Sequence, residues 1–133
     1  MGNNFNTSNT IMDYKAILAV FLGGGLGSSI RYLISLYFKP LVQFPLGTLT
    51  ANTLGCLFIG VFVGYLNRAE LIREDLSLFF VVGFCGGLTT FSSFALDFFN
   101  LTKSASIISP LLYFIASIVL GALSLLFGLW MAK

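Results

Sequence analysis

The chain has 133 residues, of which 57% are hydrophobic and only 9% charged, with a mean hydropathy of +0.95. A soluble domain carries roughly 25% charged residues, so this composition excludes one and points to an integral membrane protein. The net charge of +2 is scattered and offers no basic patch for nucleic acid. Histidine is absent and Cys56 and Cys85 lie far apart, without metal-ligand or redox spacing.

A spanning helix takes about 20 apolar residues, so the chain has room for four spans and no separate soluble domain. Residues 1–13 are rich in Asn and Thr and lack the basic region of a signal peptide; they read as a short exposed tail. The first span runs from about Tyr14 to Tyr37 and ends before Lys39-Pro40. It contains Arg31, within Gly27-Ser28-Ser29-Ile30-Arg31-Tyr32. A charge at the bilayer centre costs at least ~2.5 kcal/mol and normally faces a partner or cavity. Arg31 lies roughly 12 Å from Lys39 at 1.5 Å per helical residue, so it can snorkel to the interface. The other reading is a fixed positive charge at the base of an aqueous vestibule, where it would gather anions; the neighbouring Ser28 and Ser29 favour it.

The second span runs from about Leu46 to Leu66 and is opened by Pro45, a residue suited to a helix start. Thr48 and Asn52 share a face of this span, continued by Gly55, Cys56 and Gly60. Asn52 is read either as interhelical hydrogen-bond glue or as an amide donor facing a permeating anion. A charged hairpin, Asn67 to Asp75, leads into the third span, about Leu76 to Phe99. Here Gly86-Gly87-Leu88-Thr89-Thr90 weakens a helix where lipid makes helix almost obligatory. A helix broken at Gly86-Gly87 exposes carbonyls on one half and N–H groups on the other, and the freed carbonyls suit a hard cation. Phe91 and Phe94 follow on one face, with Phe98 a turn later. A ring turned edge-on presents its positive rim and can approach an anion without trapping it. Asp97, late in the span, has no role in this reading.

The fourth span runs from about Ile107 to Met131. Ser109, Tyr113, Ser117, Gly121, Ser124 and Gly128 recur along one face of it. That stripe suits tight packing or, equally, a polar track for an ion shedding water. The pairs Gly23/Gly27, Gly60/Gly64 and Gly83/Gly87 have the GxxxG spacing that lets helices approach closely. Four spans put both termini and the hairpin on one side, with Lys15, Arg68, Arg73 and Lys133; Lys39 and Lys103 lie on the other, with Arg31 toward that end of the first span. So weak a bias leaves two readings: termini inside, or insertion both ways up with two opposed copies pairing.

Gly86-Gly87-Leu88-Thr89-Thr90-Phe91-Ser92-Ser93-Phe94 closely resembles the signature of the Fluc (CrcB) family of small bacterial fluoride channels. Gly-x-x-x-Arg-Tyr at Gly27 to Tyr32 and Gly-Thr-x-x-Ala-Asn at Gly47 to Asn52 support the resemblance, which extends over nearly the whole chain. It implies an all-α, four-helix multi-pass protein of the bacterial cell membrane, forming an antiparallel dual-topology homodimer. It also implies two passive fluoride pores at the subunit interface and a structural Na⁺ on the twofold axis. By position, Phe91 and Phe94 match the family's phenylalanine pair, Asn52 its pore-lining amide and Arg31 its vestibule arginine. Tyr113 and Ser117 match its fourth-helix polar track, which meets Gly121 rather than a further hydroxyl. Gly86 and Thr89 match the backbone carbonyls that hold Na⁺. The preference for fluoride over chloride comes from the resemblance; the residues themselves argue for a narrow anion-favouring path.

A small dual-topology proton-coupled multidrug or cation antiporter is the alternative. It needs a carboxylate within the membrane, and after Asp13 the first two spans carry none. A non-transporting assembly subunit would account for the glycine pairs but not for the weakened third span. No nucleophile–base arrangement or acid pair suggests an enzyme.

Overall fold

The structure is a computed structural model, described over residues 14–39, 44–68, 74–103 and 106–133. The expected tail at 1–13 and the centre of the charged hairpin, 69–73, lie outside the described residues. Helix α1 covers Tyr14–Phe38 and α2 covers Leu46–Arg68. Then come the short turn α3, Glu74–Ser77, a π-helical stretch, Leu78–Cys85, and one more turn, α4, Gly86–Leu88. Helix α5 is Phe91–Thr102 and α6 is Ile108–Met131. Among the described residues, four stretches are long and apolar enough to cross a membrane: Tyr14–Phe38, Leu46–Arg68, Leu78–Thr102 and Ile108–Met131. The protein is an all-helical, multi-pass membrane protein. Helix is what these runs must form, because hydrocarbon offers backbone N–H and C=O groups no partner outside the segment.

Main chain packs against main chain along two pairs of elements, and at one point, Gly47 against Ser35, between α2 and α1. In the first, Gly23 and Gly27 of α1 face the third span: a Cβ on Gly27 would strike the Phe84 carbonyl and stand 2.8 Å from the Leu88 nitrogen. From the opposite side, a Cβ on Gly83 would lie 2.9 Å from the Val20 carbonyl, and one on Gly87 would meet the backbone of Gly24. In the second pair, Gly60 of α2 faces the backbone of Leu125 and Gly128 on α6, and Gly64 faces Ala132. The glycine pairs thus meet specific partners. Gly23/Gly27 faces Gly83/Gly87, while Gly60/Gly64 meets small residues at the end of α6.

The third span differs from expectation in where it departs from helix. Gly86 is helical (φ −62°, ψ −36°), and Gly86–Leu88 forms a regular turn. The extended residues are Thr89 (φ −81°, ψ 154°) and Thr90 (φ −154°, ψ 121°). Gly87 serves close approach to α1 instead, and the departure falls on the β-branched pair behind it. Upstream, the π-helical winding of Leu78–Cys85 has no counterpart in the sequence reading. Its sequence, LFFVVGFC, is uniformly apolar and gives no sign of winding; such bulges occur often near functional sites.

Among the described residues, Ala51, Cys85, Leu88 and Tyr113 are fully enclosed by one copy of the chain and Phe94 nearly so. The outward faces of α1 and α6 carry Phe21, Tyr37, Leu123, Leu126 and Trp130, as suits a lipid-facing surface. The backbone contacts give a direct test. Gly27→Ala should lower stability in detergent by about 1–3 kcal/mol, the usual cost of overpacking a rigid contact. Gly25→Ala, with nothing within 4 Å of the new Cβ, should stay within about 1 kcal/mol of the parent. Denaturation midpoints of the two variants check this.

Candidate functional site

The joint at Thr89-Thr90 interrupts the i→i−4 pattern and leaves main-chain groups that need partners. Helix α4 is closed by the Thr89 N–H, which donates to the Cys85 carbonyl at 2.9 Å; the Thr89 hydroxyl donates to the same oxygen at 2.9 Å. The next residue is held from another helix. The Thr90 N–H donates to Asn52 Oδ1 at 2.7 Å, and Asn52 Nδ2 donates back to the Thr90 carbonyl at 3.2 Å. One primary amide thereby satisfies both main-chain groups of one extended residue, as a neighbouring strand would. The Thr90 hydroxyl then caps α5, accepting from the Ser93 N–H at 3.2 Å.

Helix α2 is shaped for this. Three residues beyond Asn52, a Cβ on Gly55 would collide with Cγ2 of Thr89. The same face thus supplies the amide and the space for the joint it holds. From α1, Arg31 Nε donates to the Gly87 carbonyl at 3.0 Å. The Gly86 and Thr89 carbonyls accept no hydrogen bond among the described residues.

Beside the joint lies an open groove of about 500 Å³, lined by Asn52, Cys56, Ile59, Gly86, Thr89, Thr90, Phe91, Phe94, Ser117 and Ile118. Of the eight residues singled out in the sequence, six line it together: Asn52, Gly86, Thr89, Phe91, Phe94 and Ser117. Tyr113 lies behind it, fully buried, with its ring stacked on that of Phe94 at 5.2 Å and 30°. Arg31 is outside it, on the α1 side of the joint. The Ser117 hydroxyl donates to the Tyr113 carbonyl at 2.7 Å, and Ser28 and Ser29 likewise bond back to their own helix. In this arrangement the Ser117 oxygen, rather than its hydrogen, is left for the groove.

Sequence reasoning passed over Asp97, which the structure makes a junction. Its carboxylate accepts from the Thr48 hydroxyl at 2.6 Å and the Tyr113 hydroxyl at 3.4 Å, tying α5 to α2 and α6. Tyr113 is further held edge-to-face by Phe44, centroids 5.6 Å apart. Asp97 and Thr48 also line a second cavity of about 390 Å³ that includes Ser35, Lys39 and Ser93. The signal was present in the spacing. Asp97 stands three residues after Phe94, hence on the same face, and Thr48 stands four before Asn52.

The phenylalanines divide unequally. Phe94 is 9% exposed, whereas Phe91 is 80% exposed in the single chain, with the two ring centroids 5.7 Å apart. Phe94 anchors the aromatic layer; Phe91 stands out from it.

The sequence pattern of the family described as "CrcB-like protein, Camphor Resistance (CrcB)" matches residues 18–129. The chain is 45% identical over 121 residues to a "Fluoride-specific ion channel FluC" of Phocaeicola vulgatus, covering 90% of this chain and 99% of that one. It is 42% identical over 121 residues to a protein of the same description from Flavobacterium psychrophilum, covering 90% and 98%. A Helicobacter pylori relative, also so described, is 38% identical over 116 residues, covering 84% and 88%.

The amide clasp has a measurable cost of removal. Asn52→Leu strands the Thr90 N–H and carbonyl and should destabilise the protein by about 2–4 kcal/mol. Thr48→Val removes one hydroxyl donor to a carboxylate and should cost about 1–3 kcal/mol. Unfolding in detergent micelles distinguishes both from the parent.

Proposed function

The chain belongs to the CrcB family, and from that membership we propose that it is a fluoride-selective channel passing fluoride passively out of the cell. The observation that carries this reading is the groove. It gathers an amide N–H and two aromatic rings around one space, beside the Ser117 oxygen and main-chain carbonyls, and its relatives are described as fluoride-specific channels. Fluoride is small and strongly hydrated, so a path must replace water with several weak donors rather than one strong charge. Asn52 Nδ2 carries two hydrogens and gives one to Thr90, keeping the other for the groove. Phe94 rests one face on Tyr113, so its positive rim is the part suited to meet an anion. Such contacts are strong enough to admit an ion and weak enough to release it. An interior-negative potential supplies about 2.3 kcal/mol per 100 mV for anion exit, so no coupled ion is needed.

In this proposal two copies associate antiparallel, and each open groove is completed by the other copy into one of two pores. The high exposure of Phe91, beside polar main chain that hydrocarbon would not tolerate, supports a second copy covering it. The third span is then broken within the membrane at Thr89-Thr90, where protein lines both sides. The Gly86 and Thr89 carbonyls, unpartnered among the described residues, fit the oxygen donors a hard cation takes; contributed by both copies at the axis, they would hold a structural Na⁺. Proton-coupled antiport finds less support. Asp97, the acid within the third span, is engaged by Thr48 and Tyr113.

Liposomes containing the purified protein should lose fluoride rapidly and chloride negligibly, read with ion-selective electrodes; proton-coupled cation exchange, or no fluoride loss, would contradict the proposal. Phe94→Ile and Phe91→Ile should each slow fluoride efflux on the order of tenfold, a barrier about 1.4 kcal/mol higher, while the dimer persists on size exclusion. Unchanged efflux in both would remove the ring edges from the path.

A further inference from the structure

Arg31 makes its contact through Nε, the donor nearest the backbone, and that choice of atom is informative. In a continuous helix the Gly87 carbonyl would accept from the N–H of residue 91, four positions on. Here two extended residues separate Gly87 from Phe91, which opens the next helix. The Arg31 Nε–H donates to that acceptor instead, 3.0 Å from the Gly87 oxygen.

The scaffold brings it there with little freedom. Gly27, four residues earlier on the same face of α1, lies against the Phe84 carbonyl and Leu88 nitrogen, and Gly24 lies against Gly87. The main chains fix the distance, and Arg31 extends from the next turn of α1. Arg31 does not line the groove that holds Asn52 and Phe91. No carboxylate pairs with it among the described residues, Asp97 being taken by Thr48 and Tyr113.

We propose that Arg31 is a positioning residue: its Nε–H replaces the helical donor lost at Gly87, and this hydrogen bond, rather than the positive charge, is what the groove requires. Together with Asn52, it holds the joint from both sides, one helix taking Gly87 and the other taking Thr90. The proposal rests on the channel reading only for its efflux measurement; the hydrogen-exchange measurement stands without it.

Two near-isosteric variants separate hydrogen bond from charge. In Arg31→Gln, Nε2 occupies the position of the arginine Nε, so the donor stays and the charge goes. In Arg31→Met, Cε occupies that position, so both go. Amide hydrogen exchange over residues 86–93 and fluoride efflux from liposomes are measured on both. Arg31→Gln should keep the segment as protected as in the parent and efflux within about threefold, whereas Arg31→Met should lose about tenfold or more in each, the scale of a buried carbonyl left without its donor. Efflux in Arg31→Gln as low as in Arg31→Met would show that the charge is what matters and overturn the proposal. Parent-like protection in Arg31→Met would overturn it as well. If Arg31→Met does not fold, Arg31→Gln alone decides, by the same efflux and protection thresholds.

Discussion

An unpaired main-chain group in hydrocarbon costs several kcal/mol, and the arrangement around the third span follows from that cost. Two extended residues at Thr89-Thr90 remove helical partners on both sides of the joint. Neighbouring helices supply replacements: the Asn52 amide clasps Thr90 on both of its polar groups, and Arg31 takes the Gly87 carbonyl. Each replacement demands that its parent helix sit at a set distance. The glycines meet that demand, Gly55 under Thr89 and Gly24 and Gly27 against the α4 turn. Close packing and polar satisfaction are therefore one problem here. A bulkier residue at Gly27 or Gly55 would push away the helix that holds the joint.

A second set of contacts fixes the groove from the far side. Phe94 stacks on Tyr113, Tyr113 reaches Asp97, and Asp97 receives Thr48 from the same helix as Asn52. The network closes a loop from α2 through α5 and α6 back to α2. It leaves Phe94 confined while Phe91, one turn earlier, projects from the chain. That contrast is the physical reason for reading the groove as half of a path that a second copy completes. What lines it, an amide, a hydroxyl oxygen, main chain and aromatic rings, carries no full charge. Weak donors such as an amide N–H suit rapid passage of an anion better than a single strong charge.

Much of this was legible from residue order. Apolar run lengths indicate four spans, since only helix satisfies the backbone in lipid, and the glycine spacing indicates close packing. Six of the eight candidate residues come to one groove, four of them from the signature run. What stayed hidden required the third dimension. Gly86-Gly87 reads as the weakest helical point by propensity, yet both residues stay helical, and at Gly87 the missing side chain is needed against α1. The interruption falls instead on Thr89-Thr90, where branched side chains and a capping hydroxyl favour extended backbone. Arg31 reads as a charge, but its contact is a hydrogen bond to a carbonyl 56 residues away, a pairing that no local pattern announces. Asp97 has no role in isolation, because its partners come from two other helices.

The central claim, that Asn52 replaces the helical partner of an extended residue, is tested most directly by site-resolved amide hydrogen exchange at Thr90 in the unaltered protein reconstituted in nanodiscs. With its N–H 2.7 Å from Asn52 Oδ1, Thr90 should be protected to the level of the helical amides on either side of the joint. Exchange at Thr90 as fast as in the exposed turns between spans would show that the clasp does not form.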